Sequence, residues 1–310
     1  MIRIGIITLI DPNNDNYGAY LQAFALMKAI RKACIQQKIN SEIICLPYYD
    51  ETDMPLTAFD VAKRKYLNSK FNLFRFVFKF LKLVIIESDK KRTKRMLSFK
   101  DFRKKLTNNL EACPDYNNLT KFDCNLYVIG SDQVWNATKG IGNKGYWGGV
   151  KQKNKDIKMV SYAASFGNVM PADNLAEDVR NYLINFNLLS VREQEAKEYI
   201  VKKLYFSENA VSVNIDPSLL LNSIEYEEIS CDSIWELNKY VLLYLTGSNK
   251  KNKVLALAKK IAKANNCKII IVNKPSFVNF PEAFFNPNII YKYDAGPSEF
   301  VSLVKNAEYV

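Results

Sequence analysis

Short β-branched runs alternate with helix-periodic segments along this chain, and that alternation constrains its fold more than any other feature of the sequence. Residues 4–9 read as a first strand, residues 11–16 as a polar loop, and Tyr20, Leu21, Phe24, Ala25, Met27 and Ile30 then recur with a helical period. A second strand is predicted over 41–47. Strand, helix, strand in that order predicts a parallel sheet with right-handed crossovers. The alternation resumes with strands over 126–129, 159–163, 188–191 and 211–215, where Asp216-Pro217 is a stop signal. The polar, acidic stretch 223–238 is the expected domain boundary. Beyond it come strands over 240–245, 268–272 and 289–291 and helices over 253–264 and 299–305, the last opened by Gly296-Pro297 with proline in its first turn. The expected class is α/β in two domains, 1–222 and 223–310, with a helical, basic insertion over 63–110 in the first. Residues 308–310 start something extended, and the second half holds few strands for a doubly wound domain. The C-terminal domain is therefore expected to be incomplete, with sequence continuing past Val310.

The length of 310 residues and a hydrophobic fraction of 48% suit two domains with sizeable cores. The net charge of +12 points to nucleic acid, an anionic membrane face or an anionic small substrate, or to a basic surface with no special target. The start, with Arg3 inside a short apolar run, reads as a strand and not as a signal peptide. The longest apolar stretch, 71–86, is broken by Asn72, Arg75, Lys79 and Lys82 and is too short to span a bilayer. Arg75, Lys79 and Lys82 share one helical face, and Lys90, Lys91, Arg92, Lys94 and Arg95 follow. Residues 71–95 thus read either as a peripheral membrane contact or as a packed helix whose lysines reach solvent. No basic recognition motif supports nucleic acid. The six cysteines are scattered without a Cys-x-x-Cys pair, which fits reduced thiols in cytoplasm and no metal site. The chain has no histidine, so Ser-His-Asp, Cys-His and His-ligated metal sites are excluded within these residues.

Three predicted strands end in polar motifs, and ligands of open parallel sheets bind at the carboxyl ends of strands. After 126–129 come Gly130, Ser131, Asp132, Gln133, Val134, Trp135 and Asn136. Gly130 permits close backbone approach. Ser131, Asp132, Gln133 and Asn136 offer donors and acceptors, Trp135 a stacking face for a sugar, and Asp132 a general base for a hydroxyl. The plain alternative is a polar turn with a helix cap. After 159–163, Ser165, Phe166 and Gly167 let a ligand or a helix come close, or simply make a snug turn. After 188–191, Arg192 suits a phosphate or carboxylate beside a helix N-terminus, while the adjacent Glu193 supports an ion pair instead. Asn16, Tyr17 and Gly18 open the first helix and offer backbone groups to an anion. Neither a Gly-x-Gly-x-x-Gly run nor a Gly-x-x-x-x-Gly-Lys-Ser/Thr run is present.

Taken together, Asn-Tyr-Gly-Ala at 16–19, Gly-Ser-Asp-Gln-Val-Trp-Asn at 130–136, Ser-Tyr-Ala-Ala-Ser-Phe-Gly at 161–167, Ser-Val-Arg-Glu at 190–193 and Asp-Pro-Ser-Leu-Leu-Leu at 216–221 resemble the polysaccharide pyruvyl transferase family in order and rough spacing. Gly296-Pro-Ser-Glu-Phe and Lys305-Asn-Ala-Glu-Tyr-Val are similar too. The resemblance covers nearly all of the chain except 63–106. It implies two Rossmann-like halves facing a cleft, as in GT-B glycosyltransferases. It also implies transfer of a pyruvyl group from phosphoenolpyruvate to a sugar of a polysaccharide or lipid-linked oligosaccharide, with no cofactor beyond that donor; the expected place is the cytoplasm, and a lipid-linked acceptor would suit the inner face of the membrane. Members continue into a Ser-Phe-His-Gly-like stretch whose histidine helps at the donor, and no histidine occurs here. Arg192 matches the family's arginine at that place and is the expected donor contact, with Asp132 orienting or deprotonating the sugar. The competing readings are a GT-B glycosyltransferase using a nucleotide-sugar and a non-catalytic basic module binding membrane.

Overall fold

The protein, seen in a computed structural model, is described for residues 1–12, 14–49, 89–138, 141–152, 156–231, 239–244, 251–272 and 286–310. It divides into two compact units. The first comprises Met1–Met54 and Phe102–Asn222 and the second the described part of Pro55–Asp101 with Ser223–Val310. Every strand pairing in both is parallel, so the chain is an α/β protein.

In the first unit β1 (Ile2–Ile7) lies between β2 (Ser41–Cys45) and β3 (Leu126–Ile129), and β3 pairs in turn with β4 (Lys158–Ser161). Val160 bridges to Leu188, which leads into β5 (Leu189–Val191), and β5 pairs with β6 (Val211–Val213). The spatial order is therefore β2-β1-β3-β4-β5-β6. The chain steps from β1 to one side and then returns to the other, so the order reverses between β1 and β3. Such a reversal opens a crevice at the carboxyl ends of the two strands. The inner strands are apolar because both faces are covered. Ile4, Ile6, Ile7, Tyr127, Val128 and Ile129 are all buried.

Helix α1 (Tyr17–Gln36) makes the β1-to-β2 crossover. Asn16 starts it, with extended backbone and a side chain that accepts from the Gly18 N–H at 3.0 Å. Helix α2 (Asp89–Leu106) divides between the units. In the first, Phe102 packs edge-on against Tyr20 and Phe24, and Arg103 donates to the Tyr20 hydroxyl at 3.2 Å. In the second, Lys94 pairs with Asp294 at 2.9 Å, and the buried Arg95 donates to the Ala295 carbonyl at 3.1 Å while lying over the Phe99 ring. This differs from an insertion belonging wholly to the N-terminal domain, because those contacts join residues up to Asp101 to the second unit. Lys94 and Arg95 are engaged by protein groups and do not extend a free basic stripe. Residues 71–88 of that stripe lie outside the described residues. Helices α3 (Ala176–Leu183) and α4 (Gln194–Lys202) follow β4 and β5 and bury Val179, Leu183, Ala196 and Ile200.

The C-terminal part of the second unit starts with the short helix α5 (Ser223–Glu227). Its sheet has the order β7 (Tyr240–Leu243), β8 (Lys268–Ile271), β9 (Ile289–Tyr291). Helix α6 (Lys251–Ala264) joins β7 to β8, and its Ala258 and Ala262 pack with Val241, Leu243, Ile269 and Ile271. Helix α7 (Pro297–Lys305) follows β9. The extended segment at the end of the sequence adds to the sheet. Tyr309 bridges Val241 in parallel and accepts from the Leu242 N–H at 2.7 Å. Among the described residues no helix is long and apolar enough to cross a membrane.

Candidate active site at the strand tips of the first unit

The polar motifs of the first unit converge where its strands end. Gly130 leaves β3 with φ +109. A Cβ there would lie 2.6 Å from the Tyr162 carbonyl oxygen and 3.4 Å from the Ala164 Cα, so only glycine fits on both conformational and steric grounds. Gly130→Ala is expected to destabilise the protein by roughly 1–3 kcal/mol, read as a lower urea midpoint at unchanged slope.

Ser131 is fully buried, and its hydroxyl donates to the Ala163 carbonyl at 2.9 Å. Asp132 follows with φ +71 and forms an isolated parallel bridge with Ala164. Its carboxylate Oδ1 accepts from the Gln133 N–H at 2.8 Å. Burial pushes the Asp132 carboxyl above the ordinary carboxylate range. The Gln133 N–H and the charge of Arg192 oppose that shift, and Asp216 and Glu193 add to it.

Arg192 follows β5 with about a quarter of its side chain exposed. Its Nε donates to Glu193 Oε1 at 2.9 Å and its Nη1 to Asp216 Oδ2 at 3.0 Å. Burial would lower its pKa, but those two bonds more than offset it and hold the guanidinium above its ordinary value. Nη2 has no hydrogen-bond partner among the described residues. Asp216 is fixed in turn, its Oδ1 accepting from the Ser218 N–H at 2.9 Å and the Ser218 hydroxyl at 2.7 Å. Ser165 links the second motif to the third. Its hydroxyl donates to Glu193 Oε1 at 2.8 Å and accepts from the Gly167 N–H at 2.9 Å. Gly167 sits against Gln133 and Asn136, whose side chains join at 3.3 Å.

The structure thus brings Asp132, Gln133, Asn136, Ser165, Gly167 and Arg192 into one contiguous polar cluster, completed by Glu193 and Asp216. Gln133 and Asn136 are exposed at its rim, and Asp132, Arg192 and Gly167 are half-buried.

Other expected site residues play different parts. Trp135 is 0% exposed, so it presents no face to a sugar. It stacks on Trp147 at 6.0 Å, packs against Phe166 and Phe186, and donates from Nε1 to the Tyr146 carbonyl at 2.9 Å. Its place in the motif is that of a core anchor, with the indole enclosed by aromatic neighbours. Phe166 is equally buried and belongs to the same aromatic cluster. Tyr17 is buried, and the Gly18 N–H that an anion would have used is already taken by the Asn16 side chain. Among the described residues no group of three or more cysteines and carboxylates is placed to hold a metal.

Two residues invisible to motif reading stand beneath the cluster. Thr8, just past β1, and Gln22, on α1, are buried single polar residues. Nothing in their sequence spacing separates them from ordinary core positions.

Among solved structures, the chain is similar to UDP-N-acetylglucosamine 2-epimerase from Rickettsia bellii, with a TM-score of 0.45 and 10% identity over 99% of this chain and 72% of that one. A UDP-GlcNAc 2-epimerase from Methanocaldococcus jannaschii gives 0.45 and 15% over 99% and 77%. A glycosyltransferase from Rickettsia africae gives 0.40 and 11% over 99% and 71%. No curated protein matches the sequence. The profile of the family described as polysaccharide pyruvyl transferase matches residues 16–310, from the cap of α1 through every strand-tip motif to the end of the sequence, and the chain belongs to that family.

Proposed function

We propose that the protein transfers a pyruvyl group from phosphoenolpyruvate to a sugar hydroxyl pair of a polysaccharide or lipid-linked oligosaccharide, with Asp132 as the base at the acceptor. The observation that carries this reading is the place of Asp132. It is a carboxyl at the carboxyl end of β3, at the reversal of strand order, with its proton affinity raised by burial. A base so tuned accepts a proton from a hydroxyl more readily than an ordinary surface aspartate.

The chemistry balances in an addition and a substitution. The first sugar oxygen bonds to C2 of phosphoenolpyruvate as its proton passes to Asp132, and an equivalent proton, returned from Asp132 through solvent, converts the methylene carbon to methyl. The second sugar oxygen then replaces phosphate at C2, and its proton leaves with the phosphate. The products are a cyclic ketal and inorganic phosphate. Positive charge builds at C2 in both steps, and carboxylates aimed at that point stabilise it. The cluster holds three carboxyls, Asp132, Glu193 and Asp216, to one guanidinium. Its charge balance therefore suits the hydroxyl and the cationic carbon better than a dianionic phosphate. Arg192, with Nη2 uncommitted, is assigned one charge-assisted bond to the donor's carboxylate.

The test is phosphate release from phosphoenolpyruvate by the purified chain with a panel of mono- and disaccharides. Acceptor-dependent release is expected. Nucleotide release from a nucleotide-sugar with none from phosphoenolpyruvate would place the chain with the glycosyltransferase alternative. Arg192→Ala is expected to raise the apparent KM for phosphoenolpyruvate about 10- to 100-fold, the range for losing a charge-assisted bond. It also leaves Glu193 and Asp216 without their shared cation, so a lower melting temperature should accompany it. An unchanged KM would remove Arg192 from donor binding.

A further inference from the structure

The buried pair beneath the cluster is organised around one residue, Ser131, and holds the peptide groups on both sides of it. Ser131 donates its N–H to Gln22 Oε1 at 3.2 Å, and its carbonyl accepts from the Thr8 hydroxyl at 2.9 Å. Gln22 Nε2 donates to Thr8 Oγ1 and to the Ala19 carbonyl, both at 2.8 Å. Because the Ser131 N–H can only donate, the amide orientation of Gln22 is fixed. Because both Nε2 hydrogens are used, the direction of the Thr8 hydroxyl is fixed too. The result is a closed ring of three hydrogen bonds, Ser131 to Gln22 to Thr8 and back to Ser131. It joins α1, the tip of β1 and the tip of β3 across the reversal of strand order. Gln22, Thr8 and Ser131 are 2%, 1% and 0% exposed, so water does not substitute for any of them.

We propose that Gln22, with Thr8 as its partner, is the positioning residue for Asp132. This rests on the reading of Asp132 as the base. The residue after the clamped Ser131 is Asp132, held in the left-handed region that a non-glycine residue seldom adopts. Its own carbonyl accepts from the Val134 N–H at 2.8 Å and the Ser165 N–H at 3.0 Å. The ring secures Ser131 on the α1 side, and the Ser165 N–H secures the Asp132 carbonyl on the β4 side. Between them the direction of the Asp132 carboxyl is set. An apolar residue at 22 would leave the Ser131 N–H buried and unpaired, and the turn would relax to find a partner. A reacting group displaced by about 1 Å loses on the order of 100-fold in rate.

The test is a set of variants assayed for phosphate release from phosphoenolpyruvate in the intact chain: Gln22→Leu, Thr8→Val, Thr8→Ser, Asp132→Asn, and Gln22→Leu with Asp132→Asn. Gln22→Leu and Thr8→Val are expected to lower kcat about 10- to 100-fold with KM for phosphoenolpyruvate within about twofold of wild type. Thr8→Ser restores the hydroxyl and should recover most of the rate. In the Asp132→Asn background, Gln22→Leu should add nothing, because the group it positions is gone. Equal losses from Gln22→Leu with and without Asp132, or a Thr8→Val enzyme of full rate, would overturn the assignment. Should Gln22→Leu fail to fold, the Thr8→Val and Thr8→Ser pair decides alone. A fully active Asp132→Asn enzyme would instead sink the reading of Asp132 as base, an outcome distinct from failure of the positioning role.

Discussion

Replacing Asp132 with asparagine is expected to abolish turnover, by about 100- to 10,000-fold in kcat, while leaving the protein at least as stable as wild type at neutral pH. The two halves of this expectation have one cause. Burial favours the neutral form of the carboxyl, so the folded state binds its proton more tightly than the unfolded chain does. A group whose pKa is raised on folding stabilises most at pH below its unfolded value. That contribution is lost as pH climbs through the raised value. At neutral pH the ionised Asp132 therefore works against the fold, and asparagine, which still accepts from the Gln133 N–H through its own oxygen, removes that opposition. The same shift sets the pH dependence of catalysis. The acid limb of kcat should lie above the ordinary aspartate range of about 4 and should vanish in the variant. Stopped turnover with an unchanged or raised melting temperature is the expected pair of measurements. A melting temperature that falls with activity would make Asp132 a structural residue.

Trp135→Ala is expected to have the largest effect on stability, about 3–5 kcal/mol, or on the order of 10 °C in melting temperature. The indole is enclosed by Trp147, Phe166 and Phe186, and its N–H is spent on the Tyr146 carbonyl. Removing it opens a cavity in the middle of the aromatic cluster and strands that carbonyl. A loss of this size is a large share of a typical total of about 5–15 kcal/mol, so part of the population should be unfolded at 37 °C. Trp135→Phe keeps the stacked ring and loses the hydrogen bond, so a smaller loss of about 1–2 kcal/mol is expected. Chemical denaturation checks both. The contrary result, an alanine variant of wild-type stability with weakened acceptor binding, would return Trp135 to the sugar-stacking role.

The strand tips were legible in the sequence because a β-branched run followed by glycine and polar residues has few other readings. The strands at 126–129 and 289–291 lie where the sequence places them, and Asn16 caps α1 as its type predicts. Arg192 beside Glu193 was legible as a choice between an anion contact and an ion pair, and the ion pair is made. Trp135 was not legible. Sequence places a tryptophan in a motif but says nothing of which side of the turn it falls on. Thr8 and Gln22 were missed for a related reason: their role comes from a peptide more than a hundred residues away, and periodicity carries no information about that.

The ring around Ser131 also has a bearing on synthesis. Thr8 and Ser131 stand 123 positions apart, and β1 is flanked on one side by β3. A nascent chain that has released only β1, α1 and β2 therefore holds a two-stranded ribbon with a buried-type strand bare along one edge. Until β3 emerges from the ribosome that edge is a docking line for any extended peptide. The sheet of the first unit therefore closes on that side only once residues 126–129 have been made.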